Sequence, residues 1–170
     1  MEHLGSPHVH IIQELGTQNE RLIQQLHDRR VDAGQYYGEW LTANRWREWA
    51  GLHPQSSVQS IPLDDEAPHS VVVVDFGPGT ADPSIAAIAE FRDRIAQICC
   101  VDTSAEIGLM AAENYQNQLK VPANILVADF MRDVEKIISV IHMDARSKVF
   151  LCLGNTVANY EQTSSFMNMR

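Results

Sequence analysis

A run of four valines, Val71 to Val74, constrains the fold of this chain more than any other feature of its sequence. An unbroken β-branched run predicts a strand that is covered on both faces, as in the centre of a parallel sheet. Three more apolar strands are predicted after it, over Ile98–Val101, Asn124–Val127 and Lys148–Leu153. Because helical segments separate these strands, the pattern predicts an α/β fold with a Rossmann-like, doubly wound parallel sheet.

The predicted helices between these strands have recognisable starts and lengths. They cover Pro83–Arg94, Ser104–Leu119 and Val134–His142, and another helix is expected after Asn159. We expect Asp82 to cap the first of them, with Pro83 at its first position, because both residues are common at helix starts.

The chain before the valine run has a different character. Residues 1–60 are predicted to form an N-terminal helical segment that serves as a lid or in dimerisation, residues 61–70 a linker, and residues 71–170 the α/β domain. The helical periodicity begins at Ile11 and Ile12, and a second helix is predicted over Gln35–Ala50 with Gly51 as its stop. Aromatic side chains of that helix either anchor it on the main domain or line a substrate pocket; the pocket candidates are Tyr36, Tyr37 and Trp40.

Composition excludes several classes of function. Among 170 residues, 13 Lys and Arg oppose 22 Asp and Glu, and the net charge of −9 disfavours nonspecific nucleic-acid binding. Apolar runs are too short to span a bilayer, and the N-terminus lacks the pattern of a signal peptide, so we expect a cytoplasmic protein without a membrane partner. The three cysteines have no Cys-x-x-Cys spacing, and His3, His8 and His10 have no accompanying ligand framework, so no metal site is predicted.

Two glycines follow the valine strand in the segment Asp75-Phe76-Gly77-Pro78-Gly79-Thr80. Glycine allows a sharp turn and lets a ligand approach the backbone closely. The third glycine of a dinucleotide-binding fingerprint would stand at position 82, where the negative charge of Asp82 disfavours a pyrophosphate and hence NAD. Asp75, before the turn, suits a ligand that carries an ammonium group.

Acidic residues also follow the next two strands. Asp102 ends the second strand, where a carboxylate can accept hydrogen bonds from two ribose hydroxyls. Asp129 and Phe130 follow the third strand, and an adenine could lie on this ring while its amino group meets the acid. Each aspartate taken alone is as often a helix cap. Three of them at the carboxyl ends of three consecutive strands favour a ligand site.

These residues resemble the class I S-adenosylmethionine-dependent methyltransferases. The closest resemblance is to the histidine Nα-methyltransferase family of ergothioneine synthesis, through Asp75–Thr80, Ala128–Phe130 and Leu153–Tyr160. The resemblance implies S-adenosylmethionine as cofactor, held by Asp75, Gly77, Gly79, Thr80, Asp102, Thr103, Asp129, Phe130 and Gly154. It further implies an amino-acid substrate contacted by Asn159, and we expect Asn155 and Thr156 to contribute to the same site.

The expected activity is therefore methyl transfer from S-adenosylmethionine to a small, amino-acid-like acceptor, with no residue identified as catalytic. A non-catalytic assembly module on the same fold, other S-adenosylmethionine chemistry, and another nucleotide such as NAD remain alternatives. The family's sheet has seven strands, whereas this sequence stops soon after the fourth, so both a fragment and a natural short form stay open. Lys148–Leu153 is apolar on both faces, and we expect a homodimer partner to cover it, with the N-terminal helices as the alternative cover.

Overall fold

The computed structural model describes residues 5–12, 43–52, 58–64, 68–130 and 132–153. Within them five strands form one sheet, and all of its neighbouring strands run parallel. The strands are β1 (Val9–Ile11), β2 (Val71–Phe76), β3 (Ile95–Asp102), β4 (Ala123–Val127) and β5 (Ser147–Leu151). They are arranged in the order β1-β4-β3-β2-β5.

Helices connect these strands, but the single helix predicted over Pro83–Arg94 is divided into an α-helix and a 3-10 helix. They are α1 (Ala43–Leu52), α2 (Asp82–Ile88), a 3-10 helix (Ala89–Arg94), α3 (Ala105–Leu119) and α4 (Val134–His142). The predicted α/β fold is therefore confirmed, and it is compatible with a Rossmann-like core. None of the helices among the described residues is long and apolar enough to cross a membrane.

The valine run lies where the sequence predicts, in a strand buried on both faces. Val71 and Val73 pack in a core with residues of α2 and α3, whereas Val72 and Val74 pack on the other face with residues of α4. The side chains of Val73 and Val74 are 0% exposed. Both faces of β2 are thus removed from water, which is why the run does not alternate with polar residues.

The strand order reverses beside β2. From β2 the chain adds β3 and then β4 on one side, and it returns through α4 to place β5 on the other side of β2. In open parallel sheets such a reversal leaves a crevice at the carboxyl ends of the two strands concerned, because the following connections diverge to opposite faces. The carboxyl ends of β2 and β5 are therefore the natural place for a ligand.

The prediction that helical structure begins at Ile11 is wrong. Val9–Ile11 forms the short strand β1, which pairs with β4 in the register Val9 to Ile125 and Ile11 to Val127. Two adjacent isoleucines fit a helical period as well as a strand end, and backbone pairing with an exposed sheet edge decided the outcome. The rest of the predicted N-terminal helices, up to residue 42, lies outside the described residues.

Two predicted helix boundaries are also wrong. Helix α1 does not stop at Gly51 but continues to Leu52, and Gly51 has no neighbour near its Cβ position. The N-cap of α2 is Ala81, not Asp82, and no side chain caps this helix. Asp82 is instead the first helical residue, and its Oδ1 accepts a hydrogen bond from Gln118 Nε2 at 3.4 Å.

Candidate functional site

The turn between β2 and α2 has an unusual backbone. Gly77, Gly79 and Ala81 have φ angles of +61°, +57° and +65°. Glycine adopts such angles readily, whereas for alanine they cost about 1 kcal/mol or more. The amide of Gly77 donates to the carbonyl of Val101 at 2.8 Å, and this bond holds the turn against the end of β3.

Asp102 is the last residue of β3 and lies beside this turn. It is 9% exposed, and its Oδ1 accepts the amide hydrogen of Ser104 at 2.9 Å. Burial raises the pKa of Asp102 to about 7, and the charge of Asp75 adds to this effect, while backbone hydrogen bonds from Ser104 and Thr103 oppose it. Asp102 is thus a buried acid that is close to its titration point near neutral pH.

Asp129 and Phe130 follow β4 at the same edge of the sheet. The carboxylate of Asp129 lies 3.7 Å from Nε of Arg132, and its carbonyl accepts hydrogen bonds from the turn that leads into α4. Phe130 is largely buried, and its ring packs on Phe76 with the centroids 5.5 Å apart and the planes inclined by 57°. The ring of Phe130 therefore belongs to the face of the sheet that α4 covers.

Asp75, in contrast, does not reach the open edge. Its side chain is 1% exposed, and its Oδ2 accepts a hydrogen bond from the hydroxyl of Tyr115 on α3 at 2.6 Å. Burial raises the pKa of Asp75 to about 6, although the hydroxyls of Tyr115 and Ser84 act in the opposite direction. This placement gives Asp75 a role inside the domain, and a direct contact with an ammonium group would need the surrounding helices to move.

Helix α1 packs over the glycine turn. The indole of Trp46 lies against Gly79 and also contacts a small cluster formed by Ile107 and Met110 of α3. Trp46 thus anchors α1 on the α/β domain, which is one of the two roles expected for the aromatic residues of this segment. The pocket candidates Tyr36, Tyr37 and Trp40 lie outside the described residues.

A cavity of about 490 Å³ opens at the carboxyl ends of β2 and β5. Its walls are apolar: one is built from α4, and the other contains three phenylalanine rings, Phe76, Phe130 and Phe150. The rings of Phe76 and Phe150 are stacked with their centroids 6.2 Å apart, and Phe150 is 60% exposed. The volume is in the range of small-molecule sites.

The described residues thus bring together the two glycines, Thr80, Asp102, Thr103, Asp129 and Phe130 along one edge of the sheet. Gly154, Asn155, Thr156 and Asn159 lie outside the described residues. No group of histidine, cysteine or acidic residues in the described part of the chain is arranged to hold a metal ion.

Sequence reasoning missed the contacts that α3 and α1 make with the turn. Tyr115 fits the apolar face of its helix, and nothing local indicates a bond to an aspartate 40 positions earlier. The apolar segments around the three cysteines predict that these residues are buried; Cys100 is buried, whereas Cys99 is half-buried and Cys152, directly after β5, is exposed.

Comparisons with known proteins identify no relative of this chain, since no protein-family model, no curated protein and no solved structure matches it. The class defined by the fold is a parallel α/β domain with a glycine turn and a buried acid at the carboxyl ends of adjacent strands.

Proposed function

We propose that this protein is an S-adenosylmethionine-dependent methyltransferase that acts on a small acceptor. The observation that carries the proposal is the pairing of Asp102 with the glycine turn: the turn is bonded to β3 at Val101, directly before Asp102. A buried carboxylate beside a tight glycine turn, at the carboxyl ends of adjacent parallel strands, suits a nucleoside, because the acid can accept hydrogen bonds from the ribose hydroxyls while the glycines leave room for the attached group.

Each residue of the edge has a role in this proposal. Asp102 accepts the hydrogen bonds of the two ribose hydroxyls, and Thr103 lies next to the base. Asp129 accepts a hydrogen bond from the amino group of adenine, and the ring of Phe130 makes an apolar contact with the base. Gly77, Gly79 and Thr80 leave room for the amino-acid part of the cofactor. Asp75 acts indirectly, because it holds the end of β2 through Tyr115.

The bound cofactor supplies an activated methyl group on a sulfonium sulfur. The protein then has to hold the acceptor in line with that carbon and exclude water from it, and an amine acceptor does not need a general base from the protein. The cavity beside β5 has apolar walls without a carboxylate or a lysine among its described residues. It therefore favours an acceptor with an apolar part, while the expected contacts to its polar part are Asn155, Thr156 and Asn159.

Calorimetric titration with S-adenosylmethionine, S-adenosylhomocysteine and NAD tests the cofactor. We expect the first two to bind and NAD to fail, because Asp82 at the start of α2 repels a pyrophosphate. Replacing Asp102 with alanine removes a charged hydrogen-bond partner, which is worth roughly 1.5–3 kcal/mol, so affinity for S-adenosylhomocysteine should fall about ten- to hundredfold. Asp93→Ala is the matched control, because the side chain of Asp93 is 88% exposed and belongs to the 3-10 helix that precedes β3, whereas Asp102 ends this strand. Equal affinities for both variants would refute the role of Asp102.

A non-catalytic assembly module is the second candidate, and one observation favours it. Strand β5 pairs only with β2 among the described strands, and it exposes Phe150 beside its open edge. We propose that a second copy of the chain covers this edge in either case. Cofactor binding without turnover on any small amine, thiol or phenol, together with a stable homodimer, would favour the assembly module over the enzyme.

A further inference from the structure

We infer that Asn114 and Tyr115, two consecutive residues of α3, are positioning residues that hold both ends of the glycine turn in its ligand-binding shape. The inference rests on the proposed function for its ligand, but the contacts themselves are independent of it. Neither residue is part of the edge on which the cofactor is expected to lie.

The two bonds grip the turn from opposite ends. Tyr115 donates its hydroxyl hydrogen to Oδ2 of Asp75 at 2.6 Å, two residues before Gly77. Asn114 donates from Nδ2 to the carbonyl of Thr80 at 2.8 Å, directly after Gly79. A third contact, from Gln118 to Asp82 at 3.4 Å, comes from the next turn of the same helix.

The turn needs such support because its own backbone does not favour this shape. Three of its residues have positive φ, and one of them, Ala81, has a side chain that disfavours the left-handed region. Helix α2, which follows, has no side-chain cap that would fix its start. A backbone of this kind keeps a single conformation only where the surrounding structure imposes it.

The bond to Asp75 is suited to this purpose. Both side chains are almost fully buried, and burial raises the pKa of Tyr115, so that its hydroxyl keeps its proton and acts as the donor. A hydrogen bond to an ionised carboxylate is about twice as strong as a neutral one. Water does not compete for these atoms, so the bond ties the end of β2 firmly to α3.

Helix α3 also links the turn to Asp102. The helix begins one residue after its N-cap Ser104, whose amide donates to Asp102, and it reaches Asn114 and Tyr115 three turns later. The acid expected to bind ribose and the turn expected to bind the amino-acid chain are therefore fixed to one rigid element. We infer that this helix sets the spacing between the two halves of the cofactor site.

Amide hydrogen exchange at Gly77 and Ala81 tests, without any ligand, whether Asn114 and Tyr115 hold the turn in place, since both amides make hydrogen bonds within the turn region. In Asn114→Ala and Tyr115→Phe we expect both amides to exchange about fivefold faster or more, since a lost bond worth about 1 kcal/mol corresponds to a factor of about five. Asn117→Ala is the matched control, because Asn117 lies on the exposed side of the same helix. Asn117→Ala should leave the exchange rates unchanged. Wild-type rates in both test variants would overturn the inference.

Affinity for S-adenosylhomocysteine separates positioning from mere stabilisation. We expect Asn114→Ala and Tyr115→Phe to bind it at least fivefold more weakly under conditions where both are fully folded. Asn117→Ala, on the exposed side of the same helix, should retain wild-type affinity within about twofold. Faster exchange with unchanged affinity would show that the bonds only stabilise the fold and would overturn the positioning role. If the wild-type protein does not bind S-adenosylhomocysteine, the proposed function fails. The exchange rates alone then decide whether Asn114 and Tyr115 hold the turn.

Discussion

The indole of Trp46 lies so close to Gly79 that a Cβ placed on this glycine would be 2.7 Å from Nε1 of the indole. Gly79 also has a φ of +57°. Two separate physical reasons therefore favour glycine at position 79: the left-handed backbone and the aromatic side chain packed against it. The contact brings helix α1, which precedes β2 in the sequence, to the candidate site.

Replacing Gly79 with alanine should destabilise the protein. We expect a loss of roughly 2–3 kcal/mol in the free energy of unfolding, from the left-handed backbone and from the displacement of Trp46. The measurement is urea-induced unfolding followed by circular dichroism. In a Trp46→Ala background the same replacement should cost only about 1 kcal/mol, because the backbone contribution alone remains. Additive losses in the two backgrounds would contradict a direct contact between the two residues.

Gly51→Ala provides the control within α1. Gly51 lies inside this helix and has nothing within 4 Å of its Cβ position. Alanine is favoured over glycine in helices by roughly 0.5–1 kcal/mol, so this replacement should leave the protein unchanged or make it more stable. The opposite signs expected at Gly51 and Gly79 separate backbone preference from packing.

The two buried acids should make stability depend on pH in an uncommon direction. Burial raises the pKa of Asp75 to about 6 and that of Asp102 to about 7, above the value near 3.9 of an unfolded aspartate. Between about pH 4 and pH 7 the folded protein therefore holds protons that the unfolded chain has released. The free energy of unfolding should fall as the pH rises through this window. Urea unfolding at pH 5 and pH 8 measures the difference.

Asn replacements identify the groups responsible for this pH dependence. In Asp75→Asn the free energy of unfolding should fall less between pH 4 and pH 6 than in the wild-type protein. In Asp102→Asn it should fall less between pH 4 and about pH 7. Each pKa unit corresponds to about 1.4 kcal/mol, so effects of 1 kcal/mol or more are expected. An unchanged slope in both variants would mean that other groups titrate in this range.

Affinity for S-adenosylhomocysteine should depend on pH for a related reason. An ionised Asp102 accepts hydrogen bonds from two ribose hydroxyls, whereas the protonated acid has lost part of this capacity. Because the pKa of Asp102 is raised to about 7, the affinity should weaken as the pH falls from 8 to 6, by up to about tenfold per unit below the pKa. Titration calorimetry across this range measures it, and a flat profile would contradict ribose binding by Asp102.

The edge of the sheet at β5 leads to a prediction about assembly. If a second copy covers this edge, light scattering at micromolar concentration should give the mass of a dimer, and Phe150→Glu should shift it toward the monomer. Leu109→Glu is the matched control, because Leu109 is a partly exposed apolar residue of α3, on the opposite face of the sheet. A monodisperse monomer for the wild-type protein would refute the dimer.

Much of the fold was predictable because its strongest signals are local. The valine run, the alternation of strands and helices, and Ser104 at the start of α3 each follow from a few neighbouring residues. Strand β1 was not predictable in this way. It has only three residues, and its pairing partner Ile125 is far away in the sequence.

The candidate site was predictable only in part, for the same physical reason. The position of Asp102 at the end of β3 follows from the strand pattern, because a strand of known direction fixes where its last residue lies. The burial of Asp75 and its bond to Tyr115 depend on how α3 packs on β2, and no sequence period carries that information. The displacement of the α2 cap from Asp82 to Ala81 depends likewise on the strained turn before it.

The pairing of β1 with β4 has a consequence for the order in which the sheet is completed during synthesis. The amide of His8 donates to Asn124, 116 residues later, so β1 leaves the ribosome long before its partner exists. At ordinary translation rates this interval is on the order of ten seconds. Strands β2 and β3 can meet within that time, whereas β1 has to wait. Of the described strands, the first to be made therefore pairs late, only after β4 has been synthesised.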